Sequence, residues 1–219
     1  LGSKYKGRAA GSLGDMAAFS FHETKNIISG EGGALTITRP ELIERAEIIR
    51  QKGTNRSKFQ RGQVDKYTWI DIGSSYLPGE LIAAFLYAQL LKEKEIKEKR
   101  LKNFHKYATA LSELQTSGLV QLPQIPSFCE GNGHMFYILL KDMHRRDNFI
   151  ENMRRHRINT PFHYIPLHSS PGGRLYGRSH GDLRITNASS SSIVRLPLYF
   201  KLSEDKIDYV IEKVKLYFL

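Results

Sequence analysis

The sequence predicts an α/β chain that ends in a smaller α+β domain. Three observations carry this expectation. Two apolar runs of strand length, residues 16–21 (Met-Ala-Ala-Phe-Ser-Phe) and 33–38 (Gly-Ala-Leu-Thr-Ile-Thr), flank a polar, glycine-rich connector. A helical pattern runs from Pro78 through Leu91 and continues as a charged helix. The second half then reads strand, helix, strand, strand, helix, an order that makes a layered unit of its own.

In chain order, residues 16–21 and 33–38 read as a hairpin-like pair of buried strands. Arg39-Pro40 ends the second strand, and Pro40 suits the first turn of a helix to about Gln51, with Leu42, Ile43, Ala46 and Ile49 as its apolar stripe. Residues 52–66 are polar and aperiodic, which predicts an exposed, mobile loop; five basic residues there face one acid, Asp65. Residues 67–77 hold Tyr67, Trp69, Ile70, Ile72, Tyr76 and Leu77 and are too apolar to float free. The helix from Pro78 should turn Leu81, Ala84, Phe85 and Ala88 inward. Its charged continuation carries Phe104, Tyr107, Leu111 and Leu114 and stops at Thr116-Ser117-Gly118. Beyond it, residues 135–140 read as a strand and 146–156 as a helix. Residues 158–165 read as a strand bent by Pro161, and 193–196 as a short strand. Ser203 caps a last helix striped by Ile207, Val210, Ile211 and Val214. The expected organisation is residues 1–90, a linking helix over 91–118, and a small α+β domain over 119–219.

Composition narrows the function classes. Of 219 residues, 40% are hydrophobic and 25% charged, values that exclude a disordered chain. No apolar run is long enough for a membrane-spanning helix, and the first residues carry no apolar leader; a cytoplasmic protein is expected. The chain does not begin with Met, which suggests a fragment or a processed product. Cys129 is the one cysteine, so an intramolecular disulfide or a cysteine metal cluster is excluded. The net charge of +11 would concentrate anionic ligands. Acids interleave the two basic stretches at helical spacing, so a solvated, internally paired surface is expected there and a nucleic-acid partner is not. Metal binding is not expected either, since the histidines lack a third ligand at suitable spacing.

The chemistry-bearing residues cluster after the first strand. Lys25 follows the apolar run directly, beside Ser20, His22 and Thr24, with glycines at 30, 32 and 33. A lysine amine attacks carbonyls at neutral pH only when something disfavours its charged form, and burial beside a strand would do that. Glycines would give room and backbone N–H donors, and Ser20 and Thr24 could donate to a phosphate. A strand end with a solvated lysine is the ordinary alternative.

The wider context is more specific. The stretches 5–8, 11–15, 19–26 (Phe-Ser-Phe-His-Glu-Thr-Lys-Asn), 30–35, 52–56, 65–78 and 163–169 (His-Tyr-Ile-Pro-Leu-His-Ser) resemble, in this order, the DegT/DnrJ/StrS family of pyridoxal-phosphate sugar aminotransferases. The likeness leans to the branch that forms 4-amino sugars from dTDP-linked 4-keto-6-deoxy sugars. The resemblance implies fold type I, with a partial large domain and the small C-terminal domain. It implies pyridoxal 5'-phosphate on Lys25, with Ser20 at the cofactor phosphate and His22 and Asn26 beside the cofactor. His163, Tyr164, His168 and Arg56 would face the substrate. Lys25 would also move the proton during transfer of an amino group from an amino acid, glutamate in most of the family, to the nucleotide-linked sugar. It further implies a homodimer in the full-length protein and a role in lipopolysaccharide or enterobacterial-antigen synthesis. Family members commonly show Asn and Arg before the helix that starts here at Pro78, where this chain has Ser75 and Leu77.

The resemblance is to the family's C-terminal part only. It places the phosphate-binding turn, the ring-stacking residue and the aspartate for the pyridine nitrogen before Leu1, and so implies that the isolated chain is inactive. The alternatives are a non-catalytic truncated or dimerising piece and a basic polyanion-binding module.

Overall fold

The computed structural model describes all 219 residues. They form two compact units, Leu1–Ile96 with Ser127–Glu130, and Lys97–Pro126 with Gly131–Leu219.

The first unit holds two small sheets. β1 (Lys4–Tyr5) pairs antiparallel with both β2 (Arg8–Ala9) and β5 (Cys129–Glu130). β3 (Met16–Ser20) and β4 (Gly33–Ile37) form an antiparallel pair in which Met16 faces Ile37 and Ser20 faces Gly33. A 3-10 turn at Pro40–Leu42 leads into α1 (Ile43–Arg50), so the proline-started helix is present in two parts. The basic segment is not a free loop. It contains α2 (Arg56–Gln60), which is tied to α1 by Lys58 on Glu44 and by a two-pronged bond of Arg61 to Glu47 at 2.8 and 2.7 Å. The apolar segment that follows is anchored by its backbone. Ile70 and Asp71 donate N–H to the Gly53 carbonyl, Lys52 to Ser74, and Asn55 to Thr68. Gly53 is obligatory at this approach: φ is +74°, and a β-carbon would stand 1.8 Å from the Asp71 carbonyl oxygen.

The strands expected to be buried are not. Met16 and Leu35 are half exposed, and no residue of β3 or β4 is buried. The inward stripe expected after Pro78 fails in the same way. α3 (Glu80–Leu90) buries no residue, and Leu81 is 88% exposed. The sequence of α3 is apolar on nearly all sides, a pattern that ordinarily goes with burial, yet nothing within this chain covers it.

The second unit carries the main core. α4 (Glu93–Ala110) buries Phe104 and Tyr107, and Leu111 follows it, ahead of the short α5 (Ser112–Thr116). β6 (Phe136–Leu139) and β7 (Ile193–Leu196) pair antiparallel, Phe136 facing Leu196 and Tyr137 facing Arg195. Alternation along both strands sends Phe136, Ile138, Val194 and Leu196 into the core. α6 (Met143–Arg155) is capped by Asp142, whose carboxylate accepts the Arg145 N–H at 2.8 Å, and it buries Phe149 and Met153. α7 (Pro171–Tyr176) and α8 (Arg184–Ser192) precede β7. α9 (Glu204–Phe218) closes the unit with its whole expected stripe buried, Ile207, Val210, Ile211 and Val214. Of the strand expected over 158–165 only one bridge forms, Phe162 opposite Val194. Pro161 and Pro166 hold the rest out of the ladder, having no N–H to donate.

Asn103, Tyr107 and Arg100 meet backbone carbonyls. Asn103 Nδ2 donates to the Leu202 carbonyl, and Tyr107 Oη to the Pro197 carbonyl at 2.9 Å; burial, with Tyr199 nearby, pushes the Tyr107 hydroxyl pKa up. Arg100 donates to the Gly133 and His134 carbonyls. Burial lowers its pKa to about 10, which still leaves it charged at neutral pH.

Phe136 is fully buried between Phe104 and Tyr107, with ring centroids 5.0 and 5.1 Å away. Phe136→Ala is expected to cost about 3–5 kcal/mol, the usual range for emptying a phenylalanine site, read as a lower midpoint in urea unfolding followed by circular dichroism. A loss below about 1 kcal/mol would mean the aromatic cluster is not central to this core.

Candidate functional site

The sequence-selected residues fall in two groups, one in each unit. In the first unit, residues 21–32 leave β3 and return to β4. Phe21 N–H donates to the Gly32 carbonyl, Ser29 N–H to Phe21, Glu23 N–H to Gly30, and Lys25 N–H to His22. Phe21, Ile27 and Ser29 are buried, so the excursion has its own small interior. Gly32, at φ +147°, sits where a β-carbon would come within 2.7 Å of Ser29 Oγ. Ser29 Oγ donates to the Glu31 carbonyl at 2.6 Å.

Lys25 projects outward from this excursion and is exposed. The expectation that burial would desolvate its amine is corrected here, because Phe21 and Ile27 occupy the interior instead. The amine has no carboxylate partner, in contrast to Lys58, Lys102 and Lys106. Ser20 ends β3, exposed, and its Oγ accepts a long bond from the His22 N–H at 3.4 Å, which leaves its own proton free to donate. His22 is fixed by Thr24 and Glu31. Its Nδ1 accepts the Thr24 N–H at 3.2 Å and lies 3.0 Å from Thr24 Oγ1, while Nε2 is 3.6 Å from Glu31 Oε1. Nδ1 therefore carries no proton, and Nε2–H points to the carboxylate. Asn26 is half-buried beside Lys25. Arg56 opens α2 with its guanidinium 6.0 Å from the Tyr67 ring centre. Its basic neighbours Lys58 and Arg61 are used in ion pairs, so the segment offers less free positive charge than its sequence suggests.

In the second unit, His163, Tyr164 and His168 lie on one segment. His163 meets Tyr164 edge-on, with ring centroids 5.2 Å apart. His168 Nε2 is 2.9 Å from Asn187 Oδ1, and Asn187 donates in turn to the Asp182 carbonyl. Tyr164 is 74% exposed, as a ligand-facing ring would be. His163 is half-buried, its Nδ1 has no hydrogen-bond partner, and its pKa is lowered by burial and then by the positive charge of Arg195. Sequence reasoning gave no role to Glu31, beside His22, or to Arg195, whose charge acts on His163, and it named Thr24 only as a phosphate donor and not as the partner of His22. A signal for Arg195 was available: it is the one charged position in the strand Ile-Val-Arg-Leu, on the face opposite the core residues.

Comparison with known proteins shows the family. The sequence model of the DegT/DnrJ/EryC1/StrS aminotransferase family matches residues 1–215, and the chain belongs to that family. An uncharacterized protein of Methanocaldococcus jannaschii, MJ1066, is 34% identical over 98% of the chain and 57% of its own length. The dTDP-3-amino-3,4,6-trideoxy-alpha-D-glucose transaminase of Micromonospora megalomicea subsp. nigra is 29% identical over 98% of the chain and 55% of its own length. Spr1654 from Streptococcus pneumoniae, solved in its PLP form, shares the fold with a TM-score of 0.85 at 23% identity, covering 99% of this chain and 55% of that one. The chain thus spans a little over half the length of the proteins it matches.

These matches overturn one part of the sequence reading. The expectation of a C-terminal remnant, a partial large domain and an inactive fragment is corrected to this extent: the family's sequence model and the shared fold run across nearly the whole of this chain. Within the segment taken for a remnant the chain is internally paired. β3 and β4 pair along their full length, and the lysine excursion between them has its own hydrogen bonds and buried residues.

The lowered pKa of His163 has a consequence for stability. An unfolded histidine takes up its proton near pH 6.5, whereas the folded site does so only at lower pH. Below about 6.5 the unfolded chain binds more protons, so the contribution is complete above that pH and is lost as pH falls. His163→Gln is expected to flatten this stretch of the stability–pH curve, measured as urea midpoints in steps from about pH 7 to pH 5. Identical slopes in both proteins would refute it.

Proposed function

We infer that this chain provides the cofactor lysine and substrate-side residues of a PLP-dependent sugar aminotransferase, which moves an amino group from an amino acid, by family pattern glutamate, to a nucleotide-linked 4-keto-6-deoxy sugar. The observation that carries the reading is Lys25. Its amine is unpaired and accessible at the end of a strand, with the Ser20 hydroxyl free to donate and glycines turning the backbone close by. This set fits pyridoxal phosphate, since a primary amine suits the aldehyde and a hydroxyl donor suits the phosphate. The bound cofactor supplies an electron sink for the substrate's α-carbon.

The chain's own residues then divide the labour. Lys25 Nζ would hold the cofactor through its aldehyde and would carry the proton at the reacting carbon. Ser20 Oγ–H binds the phosphate. His22, held by Thr24 and Glu31, and Asn26 line the cofactor. Arg56 pairs with a diphosphate oxygen, and His163, Tyr164 and His168 contact the sugar nucleotide. No helix is long and apolar enough to cross a membrane. A nucleic-acid partner is not part of this reading: the basic helix α6 pairs Arg154 and Arg155 with Glu151, as its interleaved acids suggested.

The test is reduction by borohydride after incubation with pyridoxal phosphate. A stable pyridoxyl adduct on the Lys25 peptide, located by mass spectrometry and absent from Lys25→Ala, is expected. Modification spread equally over other lysines, or an unchanged yield in Lys25→Ala, would defeat the assignment.

A homodimer belongs to the same proposal. α3 and the segment before it present Ile72, Tyr76, Leu81 and Phe85 to the outside, a larger apolar surface than monomers ordinarily leave uncovered. Light scattering after size exclusion is expected to give a dimer for the wild type and a monomer for Leu81→Asp/Phe85→Asp. A monomer in both proteins would remove the dimer from the proposal.

A further inference from the structure

β7 pairs on one side with β6 and on the other with the His163 segment. Phe162 stands opposite Val194, and the Arg195 N–H donates to the Pro161 carbonyl at 3.0 Å. In an antiparallel pair of that register, residues 161, 163, 193 and 195 project to one face, and His163 and Arg195 are diagonal neighbours, within reach of a long side chain. Tyr137, opposite Arg195 on β6, shares this face. One branch of the guanidinium is already used there, Arg195 Nη2 donating to the Phe162 carbonyl at 3.3 Å.

Two atoms of this diagonal pair are buried without a hydrogen-bond partner, His163 Nδ1 and Arg195 Nε. They are complementary. A guanidinium Nε–H can only donate, and an imidazole nitrogen without a proton can only accept. A proton on Nδ1 would instead bury a second orphan N–H beside a fixed cation, the costlier arrangement. The groups around the ring support the same state. Arg195 is the charged residue acting on His163, Tyr164 meets the ring edge-on, and Arg146 is engaged elsewhere, over Phe162 and with Asp147.

We propose that Arg195 is a positioning residue: from the adjacent strand it holds His163 as the neutral tautomer with its proton on Nε2, so that His163 offers the substrate a hydrogen-bond donor and not a base. The donor role rests on the placement of His163 at the substrate, argued above. The tautomer is a property of the ligand-free chain and does not depend on it. A donor suits the hydroxyl and phosphate oxygens of a nucleotide-linked sugar.

The experiment is long-range proton–nitrogen NMR on the ligand-free, nitrogen-15-labelled chain, with the His163 signals assigned by their loss in His163→Gln. The wild type is expected to show the Nε2–H tautomer and to protonate below the ordinary histidine range. In Arg195→Met the protonation is expected to move up and Nδ1–H to become populated, whereas Arg195→Lys, which keeps the charge, should keep protonation low. An Nδ1–H tautomer in the wild type overturns the proposal, as does an Arg195→Met spectrum that titrates like the wild type. Should Arg195→Met not fold, the wild-type tautomer and the Arg195→Lys titration decide by themselves. Affinity for a dTDP-linked sugar is measured separately in His163→Phe, which keeps a ring and removes the donor. An unchanged value there would overturn the donor role while leaving the tautomer assignment standing, so the two failures are distinguishable.

Discussion

The pairing of β3 with β4 is the constraint on which the lysine site depends. Because Ser20 faces Gly33, the twelve residues between them must leave and rejoin the sheet at one edge. That closure needs glycine at its far end. A β-carbon at Gly33 would stand 2.8 Å from the Phe19 carbonyl oxygen, and Gly32 takes a backbone angle that other residues rarely adopt. Inside the closure Phe21 and Ile27 are buried and Ser29 accepts no solvent, so Lys25 is turned outward as a consequence of what is turned inward. The exposure of the amine and the burial of its neighbours are one fact seen from two sides.

Where an element had one apolar face, the sequence was sufficient to find it. α9 shows this best: its four stripe residues are buried and Ser203 precedes it as expected, although the serine side chain makes no capping bond. β3, β4, β6 and β7 also lie within a residue or so of their apolar runs. What escaped was set by long-range partners. α2 was unreadable because its sequence, Arg-Ser-Lys-Phe-Gln, has no apolar period; its stability comes from ion pairs to α1. β1 and β2, two residues each, are too short for an apolar period, and the third strand of their sheet, Cys129–Glu130, arrives from far along the chain. α3 misled for the opposite reason, being apolar on every side. Lys25 was singled out by its residue type after an apolar run, and His163 only by the family resemblance. Arg195 was not, since its role depends on strand register rather than on any neighbour in sequence.

The positive balance is less available than +11 suggests. α4 and α9 are stitched by Lys102 to Glu204 and Lys106 to Asp208, pairs between helices rather than along one. These pairs lie near the surface, so each adds little stability, but each removes a cation from the field an anionic ligand would feel. The carboxylates of Glu204 and Glu47 record the same thing, with pKa values held below the ordinary range, chiefly by hydrogen bonds from Lys102 and from Arg61. Charge left free for a ligand is therefore local. In the basic segment it narrows to residues such as Arg56, whose guanidinium meets an aromatic ring and not an acid.

The sheet of the second unit separates stability from chemistry by its pleat. One face sends Phe136, Ile138, Val194 and Leu196 into the core, and the other carries Tyr137, Arg195 and, through the Phe162 bridge, His163. Successive residues of β7 thus serve opposite ends: Val194 is fully buried among apolar side chains, and Arg195, next in sequence, bonds the backbone of the histidine segment. A slip of one residue in that register would exchange the two faces, burying a guanidinium in the core and removing the histidine's neighbour together. The apolar alternation that fixes the core therefore also fixes which residue stands beside His163. The surroundings of His163 are in this sense inherited from packing.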